Sequence, residues 1–220
     1  MKGPAGMSMN LREALRLIVI TDAGLARPRS VEEVVEEALR AGARAIQLRD
    51  KGASAGELLA QALPLRALTR EWGALFFLND RFDVALAAEA DGVHLGPDDL
   101  PVGAVRQAAP RGFLIGHSTD IPTVARRSAS EGADYIGCGA VFPTASKADA
   151  GAEIGVEGLA RVAEAVEIPV VGIGGITPAG ARAIARESHA AGVAVIGAVM
   201  GAANPGEAVR QLLAPFRDHP

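Results

Sequence analysis

Cysteine is nearly missing from this chain. Cys138 is the only one, which excludes an intrachain disulfide and a thiolate metal cluster and suits a reducing cytoplasm. Aromatic residues are scarce at 4%, and the formal net charge is −4. A nucleic-acid surface needs basic charge for phosphates and rings for stacking, so no nucleic-acid partner is expected. Apolar runs fall well short of the roughly 20 residues that cross a bilayer, and a soluble protein without a membrane partner follows. Lysine is rare too: of 22 basic residues only Lys2, Lys51 and Lys147 are lysine. Arginine is the default cation, so each internal lysine invites a reason. Residues 1–9 lack the apolar stretch of a signal peptide and read as a disordered leader or cloning remnant, with 10–220 as a single catalytic domain. Nothing in the composition assigns an oligomeric state.

What the chain does have is apolar content and a repeat. Nearly half of its 220 residues are apolar, enough to bury a full core. Short β-branched or apolar runs at 17–20, 45–48, 74–78, 92–95, 113–116, 135–137, 170–173 and 193–196 read as strands. Stretches with helical periodicity follow each of them, at 31–39, 54–70, 81–88, 102–108, 121–130, 156–165, 178–186 and 205–216. Eight βα units without a linker predict an α/β fold with a parallel sheet, closed into a single-domain (β/α)8 TIM barrel.

In such a barrel, side chains at the carboxyl ends of the strands converge on one cavity. Asp80 follows the third strand and Asp99 the fourth, so the two carboxylates could share a hard cation such as Mg²⁺; without a cation they would repel. After the second strand, Gln47, Arg49 and Lys51 fall on one side by the period of two. A guanidinium fork beside an ammonium suits a diphosphate, while a solvated charge cluster is the plainer alternative. Thr144, Ser146 and Lys147 sit in a loop longer than most βα connections, either a lid over phosphorylated substrates or a surface excursion. Gly174-Gly175 and Ile196-Gly197-Ala198 end strands seven and eight, where backbone N–H groups of such barrels bind phosphate. Ser118 reads as a hydrogen-bond donor, with no Ser-His-acid set around it. His94 reads as a satisfied core residue, His117 as an ambiguous neighbour of the site, and Cys138 as inert and buried.

Together, Gln47-Leu-Arg49-Asp-Lys51, Asn79-Asp80-Arg81, Gly92-Val-His94-Leu-Gly96 with Asp99-Leu-Pro, Val141-Phe-Pro-Thr144-x-Ser146-Lys147 and Ile173-Gly-Gly-Ile resemble the thiamine-phosphate synthase (thiamine-phosphate pyrophosphorylase) family over nearly the whole chain. The resemblance implies a transferase of thiamine biosynthesis. It would condense 4-amino-2-methyl-5-(diphosphooxymethyl)pyrimidine with a thiazole phosphate, giving thiamine phosphate and pyrophosphate. By motif, Gln47, Arg49, Lys51, Asn79, Ser118 and Lys147 would hold the pyrimidine diphosphate, and Asp80 and Asp99 the Mg²⁺. Thr144, Ser146, Gly175 and the backbone at Ile196-Gly197 would hold the thiazole phosphate.

Three positions depart from the family pattern, all at the thiazole end: Ala140 replaces a usual proline, Ser146 a usual threonine, and Gly197 a common serine. Two other readings are carried forward. A thiazole tautomerase shares the barrel and thiazole site but performs a proton shift, for which His117 is the candidate. A non-catalytic binder of thiamine precursors has no need of the acid pair.

Overall fold

The computed structural model describes residues 10–144 and 152–217. The leader 1–9 and two candidate ligands, Ser146 and Lys147, lie outside them. Eight strands, β1 (Leu17–Ile20), β2 (Ala45–Leu48), β3 (Leu75–Asn79), β4 (Gly92–Leu95), β5 (Leu114–Ser118), β6 (Tyr135–Cys138), β7 (Val170–Ile173) and β8 (Gly192–Val195), pair in parallel in sequence order. β8 pairs back onto β1 and closes the barrel. The expected (β/α)8 architecture is the observed one.

The described helices are α1 (Leu11–Ala14), α2 (Ala23–Ala26), α3 (Val31–Arg40), α4 (Ala55–Trp72), α5 (Phe82–Ala87) and α6 (Val102–Ala108). They continue with α7 (Pro122–Ser130), α8 (Gly155–Ala163), α9 (Pro178–Glu187), α10 (Gly197–Met200) and α11 (Pro205–Leu213). Their starts follow local chemistry. Ser30 with Glu33 and Ser54 with Glu57 form capping boxes on α3 and α4, and the side chains of Thr177 and Asn204 accept backbone N–H bonds at the starts of α9 and α11. Each cap satisfies donors that a helix cannot pair internally.

Two cores result. Outward side chains such as Val19, Ile46, Phe76, Val93 and Ile136 pack under the helices. Inward ones, Ile18, Ile20, Ala45, Phe77, Tyr135, Val171 and Ala194, fill the barrel with Leu15, just after α1. The strand period of two puts them there.

Several boundaries shift by a residue or more from expectation, and two shifts bear on the site. β5 runs past Gly116 to Ser118, because the glycine is itself paired in the ladder, with His94 on one side and Tyr135 on the other. β8 stops at Val195, and Ile196, expected as strand, caps the unpredicted four-residue helix α10. A four-residue turn is too short for helical periodicity to show.

At the amino ends of the strands, acids serve the fold. Arg66 of α4 holds Asp91 through two bonds of 2.7 and 2.9 Å, and the same carboxylate accepts Phe76 N–H at 2.8 Å. Arg106 of α6 gives Asp134 one bond and the Gly132 and Phe113 carbonyls the others, and Asp134 accepts Ile115 N–H at 2.7 Å. Removing Asp91 leaves a half-buried guanidinium and a strand N–H unpaired. Asp91→Ala is expected to cost about 2 kcal/mol, read from urea unfolding as a lower midpoint at unchanged slope.

Candidate active site

A cavity of about 1010 Å³ opens at the carboxyl ends of the strands. Arg49, Lys51, Asn79, Asp80, Asp99, Ser118, Thr144, Gly175, Ile196 and Gly197 all line it. Barrel closure gathers them from seven strand ends spread over the chain.

Beyond β2, Thr21 Oγ1 accepts Arg49 N–H at 3.0 Å, tying the chain at Arg49 to the end of β1. Asp50 turns away, accepting Gly52 N–H at 3.1 Å and Gln61 Nε2–H at 3.0 Å, so Arg49 and Lys51 face the cavity without an acid between them. The buried Nε of Arg49 has no hydrogen-bond partner among the described residues. An orphaned guanidinium donor in a cavity wall fits an anionic ligand, because a buried N–H without an acceptor is costly.

Asp80 and Asp99 meet as adjacent strands require. Asp80 occupies the left-handed region at φ 63°, and its N–H donates to the His94 carbonyl at 2.8 Å. Asp99 is held by Gly96 N–H at 2.6 Å. Burial, then hydrogen bonding with Asp99 and the Asp99 charge, push the Asp80 pKa up to about 6, against the pull of Lys51 and Arg49. Two facing carboxyl groups, one of them driven toward its proton by the other, are a donor set that a hard divalent cation suits.

Across the mouth, Gly175 sits at φ 62°, with the Pro143 carbonyl where a Cβ would lie. Gly197 is the first residue of α10; it is not among the described positive-φ glycines.

Several expectations change. Gln47, assigned to the substrate, is only 2% exposed and is not among the residues lining the cavity. The surroundings of Ser118 were read as lacking a histidine-acid set, yet His94 Nε2 lies 2.8 Å from its Oγ, with Tyr135 in place of an acid on the far ring nitrogen. His94 is satisfied, as expected, and it also lines the cavity. His117, expected beside the site, lines the cavity too; it alternates with Ser118 on β5, its Nδ1 lies 2.9 Å from Ser128 Oγ on α7, and burial lowers its pKa. Burial pushes the Cys138 thiol up to about 12, the inert thiol expected. Sequence reasoning missed the roles of Tyr135 and His94; the signal available was parity, since His94 must share a face with Gly92 and Gly96, opposite Val93 and Leu95.

Comparison with known proteins gives one family. A profile described as thiamine monophosphate synthase matches residues 17–199. A thiamine-phosphate synthase of Pyrococcus furiosus is 48% identical over 93% of this chain and 96% of its own. One from Moorella thermoacetica is 46% identical over 90% and 93%. The solved structure of a thiamine phosphate pyrophosphorylase from Pyrococcus furiosus superposes with a TM-score of 0.85, at 45% identity over 95% of this chain and 98% of that one.

The acid pair carries a pH signature. Because folding raises the Asp80 pKa from 3.8 to about 6, the folded chain binds that proton more tightly than the unfolded one. Stability of the metal-free protein therefore falls as pH rises across that interval and stays lower above it. Asp80→Asn keeps a side chain that tolerates the left-handed backbone. At about pH 8 it is expected to raise the Tm of the metal-free protein by about 2–4 °C, roughly 1 kcal/mol after solvent screening, and to abolish the Tm gain from added Mg²⁺. Equal stabilisation of both proteins by Mg²⁺ would place the cation elsewhere.

Proposed function

This chain belongs to the thiamine monophosphate synthase family, and we propose that its barrel mouth joins the pyrimidine diphosphate to the thiazole phosphate with Mg²⁺ held by Asp80 and Asp99. The observation that carries this reading is the placing of the acid pair beside Arg49 and Lys51 in one cavity, with Gly175 and Gly197 in the same wall.

In the reaction, the bond between the methylene carbon and the diphosphate oxygen breaks. The pyrophosphate leaves with the electron pair, and the thiazole nitrogen supplies the pair for the new C–N bond. The aminopyrimidine ring donates electrons to the methylene carbon as that bond breaks, so no general base is required. Mg²⁺, when bound, neutralises the negative charge that grows on the leaving group. Arg49, with its unpaired buried Nε, brings a guanidinium fork to the cavity wall for the same oxygens, and Lys51 adds an ammonium at the exposed rim. Lys147 joins them from the loop by sequence motif, while Ser146 of that loop goes by motif to the thiazole phosphate. Charge fixed in place before the reaction stabilises the transition state without reorganisation at the moment of bond breaking. Thr144, Gly175 and the backbone at Ile196-Gly197-Ala198 orient the thiazole phosphate so that its nitrogen faces the carbon, which turns an encounter of two molecules into a local displacement.

The tautomerase alternative rests on His117, which lines the cavity with its Nδ1 engaged by Ser128 Oγ at 2.9 Å. No helix among the described residues is long and apolar enough to cross a membrane. Small phosphorylated substrates are the partners this site calls for.

Mixing both substrates with Mg²⁺ and the purified chain is expected to yield thiamine phosphate; no turnover would leave the binder reading in its place. Lys51→Ala and Lys147→Ala should each lower the rate by about 10²-fold, the scale of one lost transition-state charge contact. A defect confined to KM for the thiazole phosphate would contradict that role. Since Gly197 begins a helix, a serine there can restore the missing hydroxyl: Gly197→Ser should lower KM for the thiazole phosphate by about 0.5–1.5 kcal/mol equivalent and leave the pyrimidine KM unchanged. The opposite pattern would reverse the orientation of the site.

A further inference from the structure

The middle of this barrel is polar where barrels are usually filled with branched apolar side chains. Tyr135 of β6, His94 of β4 and Ser118 of β5 form a hydrogen-bonded chain leading up to the mouth, with the buried Gln47 of β2 beside them. The Tyr135 hydroxyl lies 2.9 Å from His94 Nδ1, and His94 Nε2 lies 2.8 Å from Ser118 Oγ. Tyr135 is wholly buried, His94 is 9% exposed and Gln47 2%; His94 and Ser118 reach the cavity.

The fold makes room for this chain. A Cβ on Gly116 would lie 2.5 Å from His94 Nδ1 and would also strike the Tyr135 ring, and one on Gly137 would lie 2.9 Å from His94 Cε1. Two neighbouring strands thus omit a side chain where the imidazole and phenol sit. The rings are clamped as well, His94 against Tyr135 with centroids 5.4 Å apart, and Tyr135 edge-on to Phe77 at 5.5 Å.

Counting protons gives the chain a direction. Burial drives the Tyr135 pKa far up, so the phenol keeps its single proton. Among the described residues that hydroxyl lies within hydrogen-bond distance of His94 Nδ1, and a buried O–H left without an acceptor is costly, so the phenol gives its proton to that nitrogen. A ring nitrogen that accepts leaves the imidazole proton on the other, so Nε2–H donates to Ser118 Oγ. The serine oxygen then accepts from the ring, and its O–H is left to point into the cavity.

We propose that His94 and Tyr135 are positioning residues that fix Ser118 as a hydrogen-bond donor toward the pyrimidine diphosphate. The inference rests on the proposed function for the identity of the ligand, while the direction of the hydrogen bonds stands apart from it. A donor aimed in advance costs no rotation of the hydroxyl when an anionic oxygen or ring nitrogen arrives. The same Ser-His pair in the opposite sense would make a nucleophile; here the histidine proton lies between them and forbids it.

Two measurements test this. ¹⁵N-histidine NMR of the intact protein, with the His94 signals assigned by their loss in His94→Gln, should show a protonated Nε2 and an unprotonated, hydrogen-bonded Nδ1. In turnover, Tyr135→Phe keeps the ring and removes the donor; it should lower kcat about tenfold, the scale of one net hydrogen bond, with little change in either KM. Introduced into Ser118→Ala, the same change should have no further effect, because its action passes through the serine. His94→Gln, whose amide can still donate to Ser118, should retain more activity than His94→Leu. A proton on Nδ1, or an equal loss from Tyr135→Phe in both backgrounds, overturns the proposal. Failure of the proposed function would look different: the unaltered chain would form no thiamine phosphate, and the NMR result would still decide the direction of the bonds.

Discussion

Closing eight parallel strands into a barrel leaves every second side chain pointing at the same axis, and the limited volume there governs what the rest of the molecule can be. Toward the amino ends, Ile18, Ala45, Leu75, Leu114 and Val171 fill that volume with apolar atoms, and Leu15 plugs it from below. Higher up, glycines 116 and 137 give space to a histidine and a tyrosine. At the mouth the same parity turns Asn79, Ser118 and Arg49 to the cavity. One geometric rule thus yields a dry floor, a hydrogen-bonded middle and a charged rim.

Acids at the two ends of the barrel show how surroundings assign work to one chemical group. Asp91 and Asp134 each meet an arginine and a strand N–H, so their charge is fully matched. Asp80 and Asp99 meet each other, with Arg49 and Lys51 close enough to soften the repulsion without ending it. The first arrangement strengthens the fold. The second costs stability at neutral pH, and it is the kind of local conflict that proteins keep where a ligand resolves it.

Much of the architecture was legible because it rests on short-range rules. Apolar runs of three to five residues bounded by polar ends marked all eight strands, and the capping boxes of Ser30 with Glu33 and Ser54 with Glu57 likewise need only four consecutive residues. The candidate site could be drawn from acids and cations following those strands, since parallel strands in sequence order deliver their carboxyl ends to one side. Errors arose where one residue type has two structural uses. Gly116 reads as a strand end, yet here a glycine inside the ladder accommodates two rings on neighbouring strands. Gln47 shares parity with Arg49, but being two residues lower puts it under the cavity wall instead of in it.

The sequence by itself determined the eightfold βα repeat, the family, and the set of charged residues at the barrel mouth, because periodicity and motif spacing are properties of the chain read in order. Only the tertiary structure decided which residues touch. Asp80 and Asp99 come together at the mouth, His117 engages Ser128 of α7, and His94 lies between Ser118 and Tyr135, partners 24 and 41 residues away. Both faces of a barrel strand are buried, so hydropathy cannot distinguish inward from outward, and that choice falls to closure and register.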